Sequence, residues 1–135
     1  MYAHTIQIRV RYGETDSMGY LYYGNYAQYY EVGRVEAMRN IGLSYKGLED
    51  SGILMPVVEL QSTFVKPAHY DDLLSLITTI TELPKVRMYF EYEIVNEGGD
   101  TINYGKTTLF FLDAARRKPC RAPAELIEKL EPYFI

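Results

Sequence analysis

Between Asn25 and Ile41 the apolar residues recur at three- and four-residue spacing, in the longest helix-like run of the chain. Tyr26, Tyr29, Tyr30, Gly33, Ala37 and Ile41 fall on one face, which predicts an amphipathic helix. Gly42 follows as its C-terminal stop. Ala27, Val32, Val35 and Met38 put further apolar groups on the other faces, so the helix is expected to be surrounded by protein on most sides. At 1.5 Å per residue such a helix is about 25 Å long, enough to cross a domain.

Most of the remainder reads with the period of a strand. Ile6, Ile8, Val10 and Tyr12 alternate with Gln7, Arg9 and Arg11. The stretch Gly13–Gly24 breaks that period before the helix, and Ser44–Ser51 reads as a short second helix closed by Gly52. Four extended runs follow: Leu54–Tyr70, interrupted by Pro56 and Pro67; Leu73–Glu82; Val86–Ile94; and Thr101–Asp113. Leu83-Pro84-Lys85 and Asn96-Glu97-Gly98-Gly99-Asp100 supply the turns, as expected of antiparallel hairpins. Ala124–Leu130 is expected to be a terminal helix. The order predicts an α+β fold over residues 1–135: one five-stranded antiparallel sheet wrapped around one long central helix. A single helix leaves strand edges open, so pairing of two copies through the sheet is expected.

Composition narrows the function. A net charge of −4 argues against a nucleic-acid backbone as partner, and Arg116-Arg117-Lys118 is too short a basic cluster to reverse that. Cys120 is the only cysteine, which excludes an internal disulfide and fits a reducing compartment. With two histidines, His4 and His69, no zinc-ligand spacing exists. No run approaches the roughly 18 apolar residues of a membrane span, and a cytoplasmic location is expected. The chain carries 14 tyrosines and no tryptophan, a bias suited to surfaces that are packed yet partly wet.

The segment YGETDSMGYLYYGNYAQYYEVGRVEAMR, Tyr12–Arg39, resembles the signature of the hotdog-fold acyl-CoA thioesterases. The resemblance is to the 4-hydroxybenzoyl-CoA thioesterase-like branch, which includes the Tol-Pal-associated thioesterases. It is carried by Glu14-Thr15-Asp16, Gly19, Leu21-Tyr22, Asn25-Tyr26 and the Glu31-x-x-Arg34 pair. A weaker echo is Lys66-Pro67-Ala68-His69-Tyr70-Asp71-Asp72. The resemblance implies an acyl-CoA thioesterase, built as a homodimer with sites at the subunit interface and often paired into tetramers. It implies that Asp16 is the catalytic carboxylate and that the backbone N–H of Tyr23, at the helix start, holds the thioester carbonyl. Glu31 is a second acid that could orient water. Gly19, Tyr22, Asn25 and Tyr26 are expected beside the substrate, and Lys66 and Arg117 near the coenzyme A phosphates. No cofactor is implied, coenzyme A arriving as part of the substrate. Tol-Pal-associated members carry His where this chain has Tyr23, so a mechanism that needs that imidazole is out.

The residues themselves leave several readings open. No Gly-x-Ser-x-Gly elbow exists and two histidines support no Ser-His-Asp set, which leaves a carboxylate acting as general base on water or as nucleophile. The first N–H groups of a helix lack intrahelical acceptors and sit at its positive end, ready for a developing oxyanion. Against this, Asp16 before Ser17-Met18-Gly19 is good Asx-turn chemistry. Glu31 and Arg34, three apart, have the spacing of a simple ion pair. Tyr22, Tyr26, Tyr29 and Tyr30 are equally core or interface residues, His69 a polar residue at a strand end, and Cys120 a loop thiol without a partner. A non-catalytic acyl-CoA binding or sensing module is the alternative function. Hydratases of the same fold need a histidine near the helix start, and none stands there.

Overall fold

A computed structural model describes residues 1–135. In chain order the elements are β1 (Tyr2–Arg9), α1 (Tyr26–Asn40), α2 (Tyr45–Asp50), β2 (Ile53–Leu54), β3 (Val57–Phe64), β4 (Leu73–Ile80), β5 (Arg87–Val95), β6 (Thr101–Asp113), β7 (Lys118–Cys120) and α3 (Ala124–Leu130). The five long strands form one antiparallel sheet in the order β1-β4-β5-β6-β3. Two strands that the periodicity did not reveal, β2 and β7, pair with the far end of β6, each too short to show an alternation.

The sheet turns one face to α1, and alternation decides which residues go there. Leu74, Leu76, Thr78 and Ile80 of β4 and Met88, Phe90, Tyr92 and Ile94 of β5 are all buried on that face. Gly33 lets α1 approach: a Cβ there would lie 2.8 Å from a methyl carbon of Leu76, closer than packed carbons sit. A mid-helix glycine costs about 1 kcal/mol in propensity, offset by this close contact. Gly105 of β6 does the same for Tyr30, whose ring fills the space a Cβ would take. Tyr30 also stacks on Tyr92 at 4.2 Å between centroids. Its hydroxyl lies 2.8 Å from Ser62 Oγ and donates to the buried Asn103.

Three expectations need correction. The first strand ends at Arg9, not at Tyr12, because Val10 turns to bond the Asp71-Asp72 backbone and Tyr12 opens a 3₁₀ turn with its ring in solvent. The extended run Leu54–Tyr70 is not one strand: Leu54 ends the two-residue β2, and β3 is confined to Val57–Phe64 between the two prolines. The helix is not enclosed on all sides: it packs over β1 and β4, leaving Ala27, Gln28, Glu31 and Val32 exposed. No helix is long and apolar enough to cross a membrane.

Candidate active site

The chain between β1 and α1 folds back on itself, and the sequence Asp16-Ser17-Met18-Gly19 makes the reversal. Gly19 N–H donates to the Asp16 carbonyl at 3.0 Å, with Gly19 at φ +79, a conformation that a side chain would strain. Asp16 N–H donates to the Tyr20 carbonyl at 2.8 Å, and Leu21 N–H to that of Ala68 at 2.7 Å, which docks the loop on the segment after β3. The Asp16 carboxylate is divided in its duties. Oδ1 accepts from Met18 N–H at 2.9 Å and Tyr20 N–H at 3.1 Å. Oδ2 accepts nothing, so the turn and a chemical role do not compete for the same atom.

The helical path starts earlier than the periodicity indicates. A 3₁₀ turn, Tyr23–Asn25, runs into α1, and Tyr22, which precedes it, offers no side-chain cap. The N–H of Tyr23 finds no acceptor in the chain, as the first donors of a helix often do not. Asn25 does not cap either; its Nδ2 donates to the Glu14 carbonyl at 2.8 Å, which ties the helix start to the loop.

Asp16, Tyr23, Tyr26 and Lys66 meet in one cleft of about 290 Å³, seven of whose ten lining residues are apolar. Met18, Tyr20 and Leu21 form one wall and Phe64, Val65 and Pro67 the other. The Phe64 ring meets that of Tyr26 edge-on at 5.0 Å. Tyr26 is buried, and burial, then the neighbouring Tyr30, pushes its phenol up to about 12, so it is a hydroxyl donor at any working pH. Lys66 pairs with Asp100 at 3.2 Å on the rim. A cavity of similar size on the outer face of the sheet, among Gln61, Thr63, Glu93 and Lys106, has no helix start beside it.

Not every expected residue joins the cleft. Tyr22 is exposed and leans on the Tyr23 ring at 4.6 Å outside it, and Gly19 acts through the turn. Glu31 lies on the exposed side of α1 with no partner. Its expected ion pair does not form, because Arg34 points into the core and donates to Tyr92 Oη at 3.0 Å. Arg117 sits in the turn after β6, at the end of that strand opposite Lys66, some 40 Å away along β6 by strand rise. Cys120 is half-buried; burial, then Asp113, pushes its thiol up and away from nucleophilic use.

Sequence reasoning passed over Glu14. Its carboxylate accepts from Arg11 N–H at 2.9 Å, Arg11 Nη2 at 3.0 Å and Tyr29 Oη at 2.7 Å. Burial raises the Glu14 carboxyl, but the Arg11 N–H and guanidinium and the Tyr29 hydroxyl outweigh it and hold the group below the usual range. The Tyr29 phenol is raised by burial and by that carboxylate. The one available signal was its place in the Glu14-Thr15-Asp16 motif. Phe64 was missed because nothing in a strand pattern says which end residue will face a cleft.

Comparison with known proteins agrees with this architecture. The family profile of the thioesterase superfamily covers residues 18–103. YneP of Bacillus subtilis (strain 168), a candidate acyl-CoA thioesterase, is 32% identical over 119 residues, 88% of this chain and 86% of its own. The acyl-CoA thioester hydrolase YbgC of Escherichia coli O157:H7 is 27% identical over 92% of both chains. Among solved structures, a DHNA-CoA thioesterase from Staphylococcus aureus superposes with a TM-score of 0.86 at 34% identity, over 99% of this chain and 85% of that one. An Asp-to-Asn mutant of 4-hydroxybenzoyl-CoA thioesterase, in complex with 4-hydroxybenzoyl-CoA, gives 0.84 at 25% identity over 96% and 99% of the two chains. With its sheet, its central helix and the matched stretch taken together, the chain is a hotdog-fold enzyme that belongs to the thioesterase superfamily and hydrolyses thioesters.

Proposed function

We propose that the substrate is an acyl-CoA and that it is hydrolysed to free acid and coenzyme A in the Asp16 cleft. The observation that carries this reading is that an unpaired carboxylate oxygen, Asp16 Oδ2, and an unpaired helix-start donor, Tyr23 N–H, belong to one apolar cleft. In a thioester the carbonyl carbon is attacked either by a water that Asp16 deprotonates or by Asp16 itself, giving a mixed anhydride that water then opens. In both cases the carbonyl oxygen gains negative charge and the coenzyme A sulfur departs as thiolate. Tyr23 N–H, at the positive end of the helix, stabilises that oxygen; one such donor is worth about 3 kcal/mol. Tyr26 and Phe64 bound the acyl slot. No residue in this scheme calls on a cofactor.

The working unit in this reading is a homodimer. β3 has a neighbour on one side only, and Val57, Val58, Leu60, Phe64 and Val65 are each between 44% and 51% exposed along it. Antiparallel pairing of two such edges about a two-fold sets the Val57 end of one strand beside the Phe64 end of the other. The partner subunit's Arg117, beyond the Val57 end, then comes to the same pole as Lys66. That arrangement restores to Arg117 the phosphate-binding role it cannot have within its own chain, and it brings Glu31 toward an interface. Further pairing to a dimer of dimers, and a cytoplasmic site of action where Cys120 stays reduced, complete the proposal.

The test is thiol release from acetyl-, hexanoyl-, palmitoyl- and benzoyl-CoA, with Asp16→Asn beside the wild type. We expect turnover on at least one of the four and a fall of about a thousandfold or more in the variant. Acyl-CoA bound without turnover by the wild type would make the protein a sensing module instead.

A further inference from the structure

We infer that Glu14 is a positioning residue for the reaction: its carboxylate, held by Tyr29 and Arg11, fixes the Asp16 loop against the start of α1. The inference rests on the roles of Asp16 and Tyr23 proposed above.

Residue 14 takes five hydrogen bonds. Three reach its side chain, from Arg11 N–H, Arg11 Nη2 and Tyr29 Oη. Two reach its carbonyl, from Tyr22 N–H at 2.9 Å and Asn25 Nδ2 at 2.8 Å. The donors stand just past the end of β1, on the return limb of the loop, at the helix start and in the first turn of α1. The two halves of the site are anchored on this one residue: Asp16 lies two residues after it, and Tyr23 follows directly on the Tyr22 that donates to it. Apart from the Tyr29 bond, no hydrogen bond joins residues 12–21 to α1. The remaining bonds of the Asp16 turn are internal or run to the segment after β3.

The chemistry explains why an acid stands there. Only a carboxylate offers enough lone pairs to accept a main-chain N–H, a guanidinium and a phenol together, and a charged acceptor makes each of these bonds stronger. Its side chain is only 13% exposed and Tyr29 is buried, so a weaker acceptor leaves the Tyr29 hydroxyl poorly satisfied, whereas the exposed Arg11 guanidinium can turn to water. The cost then falls on geometry: a displacement of about 1 Å between reacting groups can lower a rate a hundredfold.

The measurement is kcat and KM on whichever of the four acyl-CoAs turns over fastest, for wild type, Asp16→Asn, Glu14→Gln, Tyr29→Phe and the Glu14→Gln/Tyr29→Phe double variant, with a melting curve for each. Tyr29→Phe should lower kcat about tenfold and Glu14→Gln about thirtyfold to a hundredfold, with KM within about threefold of wild type. Glu14→Gln keeps an oxygen that can accept from Tyr29 but loses the charge that strengthens that bond and the acceptor of Arg11 Nη2. Both changes weaken one clamp, so the double variant should lose less than the product of the single losses. Wild-type kcat in a folded Tyr29→Phe or Glu14→Gln protein, with Asp16→Asn inactive, overturns the inference alone; so do losses that multiply, or that lie in KM. Should Glu14→Gln fail to fold, Tyr29→Phe decides by itself. An Asp16→Asn enzyme as fast as wild type defeats the catalytic reading instead.

Discussion

The two edges of the sheet meet opposite fates. β1, like β3, has a neighbour on one side only, but its inner face is covered by its own chain: His4, Ile6 and Ile8 are half-buried under α1, and Tyr2 at its start is buried. The Tyr2 hydroxyl donates to the Ala37 carbonyl at 2.7 Å and accepts from Asn40 at 3.0 Å, and its ring leans on Tyr133. β3 is no less apolar, yet every residue along it except Ser62 is exposed. The cause is the placing of one helix, which packs mainly over β1 and β4 and reaches β3 only through the side chains of Tyr26 and Tyr30. A single helix covers one side; in the dimer proposed above, a second β3 covers the other.

The comparison is easiest to break at its open edge. A charge in the middle of β3, Leu60→Lys, should convert the assembly from dimer to monomer and abolish turnover, whereas Gln7→Lys on β1 should change neither. Sedimentation equilibrium reads the mass, and a wild type that is already monomeric ends the idea of edge pairing. Next in size is Gly105→Ala, whose methyl would meet the Tyr30 ring within 2.6 Å. Overpacking of that kind costs about 1–3 kcal/mol, to be seen in urea denaturation. A matched pair of hydroxyl deletions sharpens the contrast. Tyr30→Phe takes one partner from Ser62 and leaves the buried Asn103 Oδ1 with none, in the cluster that ties β3 to β6, while Tyr2→Phe touches only the β1 side. We expect about 2 kcal/mol for the first and about 1 kcal/mol for the second; equal losses would mean that the two edges are equally anchored.

The smallest effect concerns pH. Glu14 has its folded carboxyl below the ordinary value of 4.5, so its contribution to stability is complete above that pH and fades as pH falls through the lowered folded value. Glu14→Gln should therefore flatten the acid side of a melting-temperature profile and leave its shape above pH 6 alone. An unchanged acid slope would show that the Arg11 and Tyr29 contacts are not maintained in solution.

Much of this was legible in the residues. The 3.6-residue period placed α1 to within a residue at each end, the three extended runs after Leu73 fell on β4, β5 and β6, and Ala124–Leu130 was read correctly. Local pattern suffices there because period and burial coincide. It failed where tertiary contacts decide: Arg34 turned from its neighbour Glu31 to a phenol 58 residues away, and Tyr12 left the strand for solvent. In the site, Asp16, Tyr23, Tyr26 and Lys66 come together as their motif positions suggested, although Lys66 is 40 residues beyond Tyr26. The bonds that Glu14 takes from Asn25 and Tyr29 were not legible, since a clamp cannot be recognised before the loop's partners are known. Arg117 was read only as lying past a strand end, and a linear sequence does not say to which pole that end points.

The divided carboxylate of Asp16 has a last consequence. Rotation about its Cβ–Cγ bond would break two main-chain hydrogen bonds at once, so, if Asp16 carries the reaction as proposed, its two oxygens would keep distinct roles through a turnover. A proton or an acyl group taken up by Oδ2 would then stay on that atom until it is passed on. In water enriched in oxygen-18, a single turnover in which water opened an anhydride at the aspartyl carbon would leave the label on Asp16, while general-base catalysis would send all of it into the released acid.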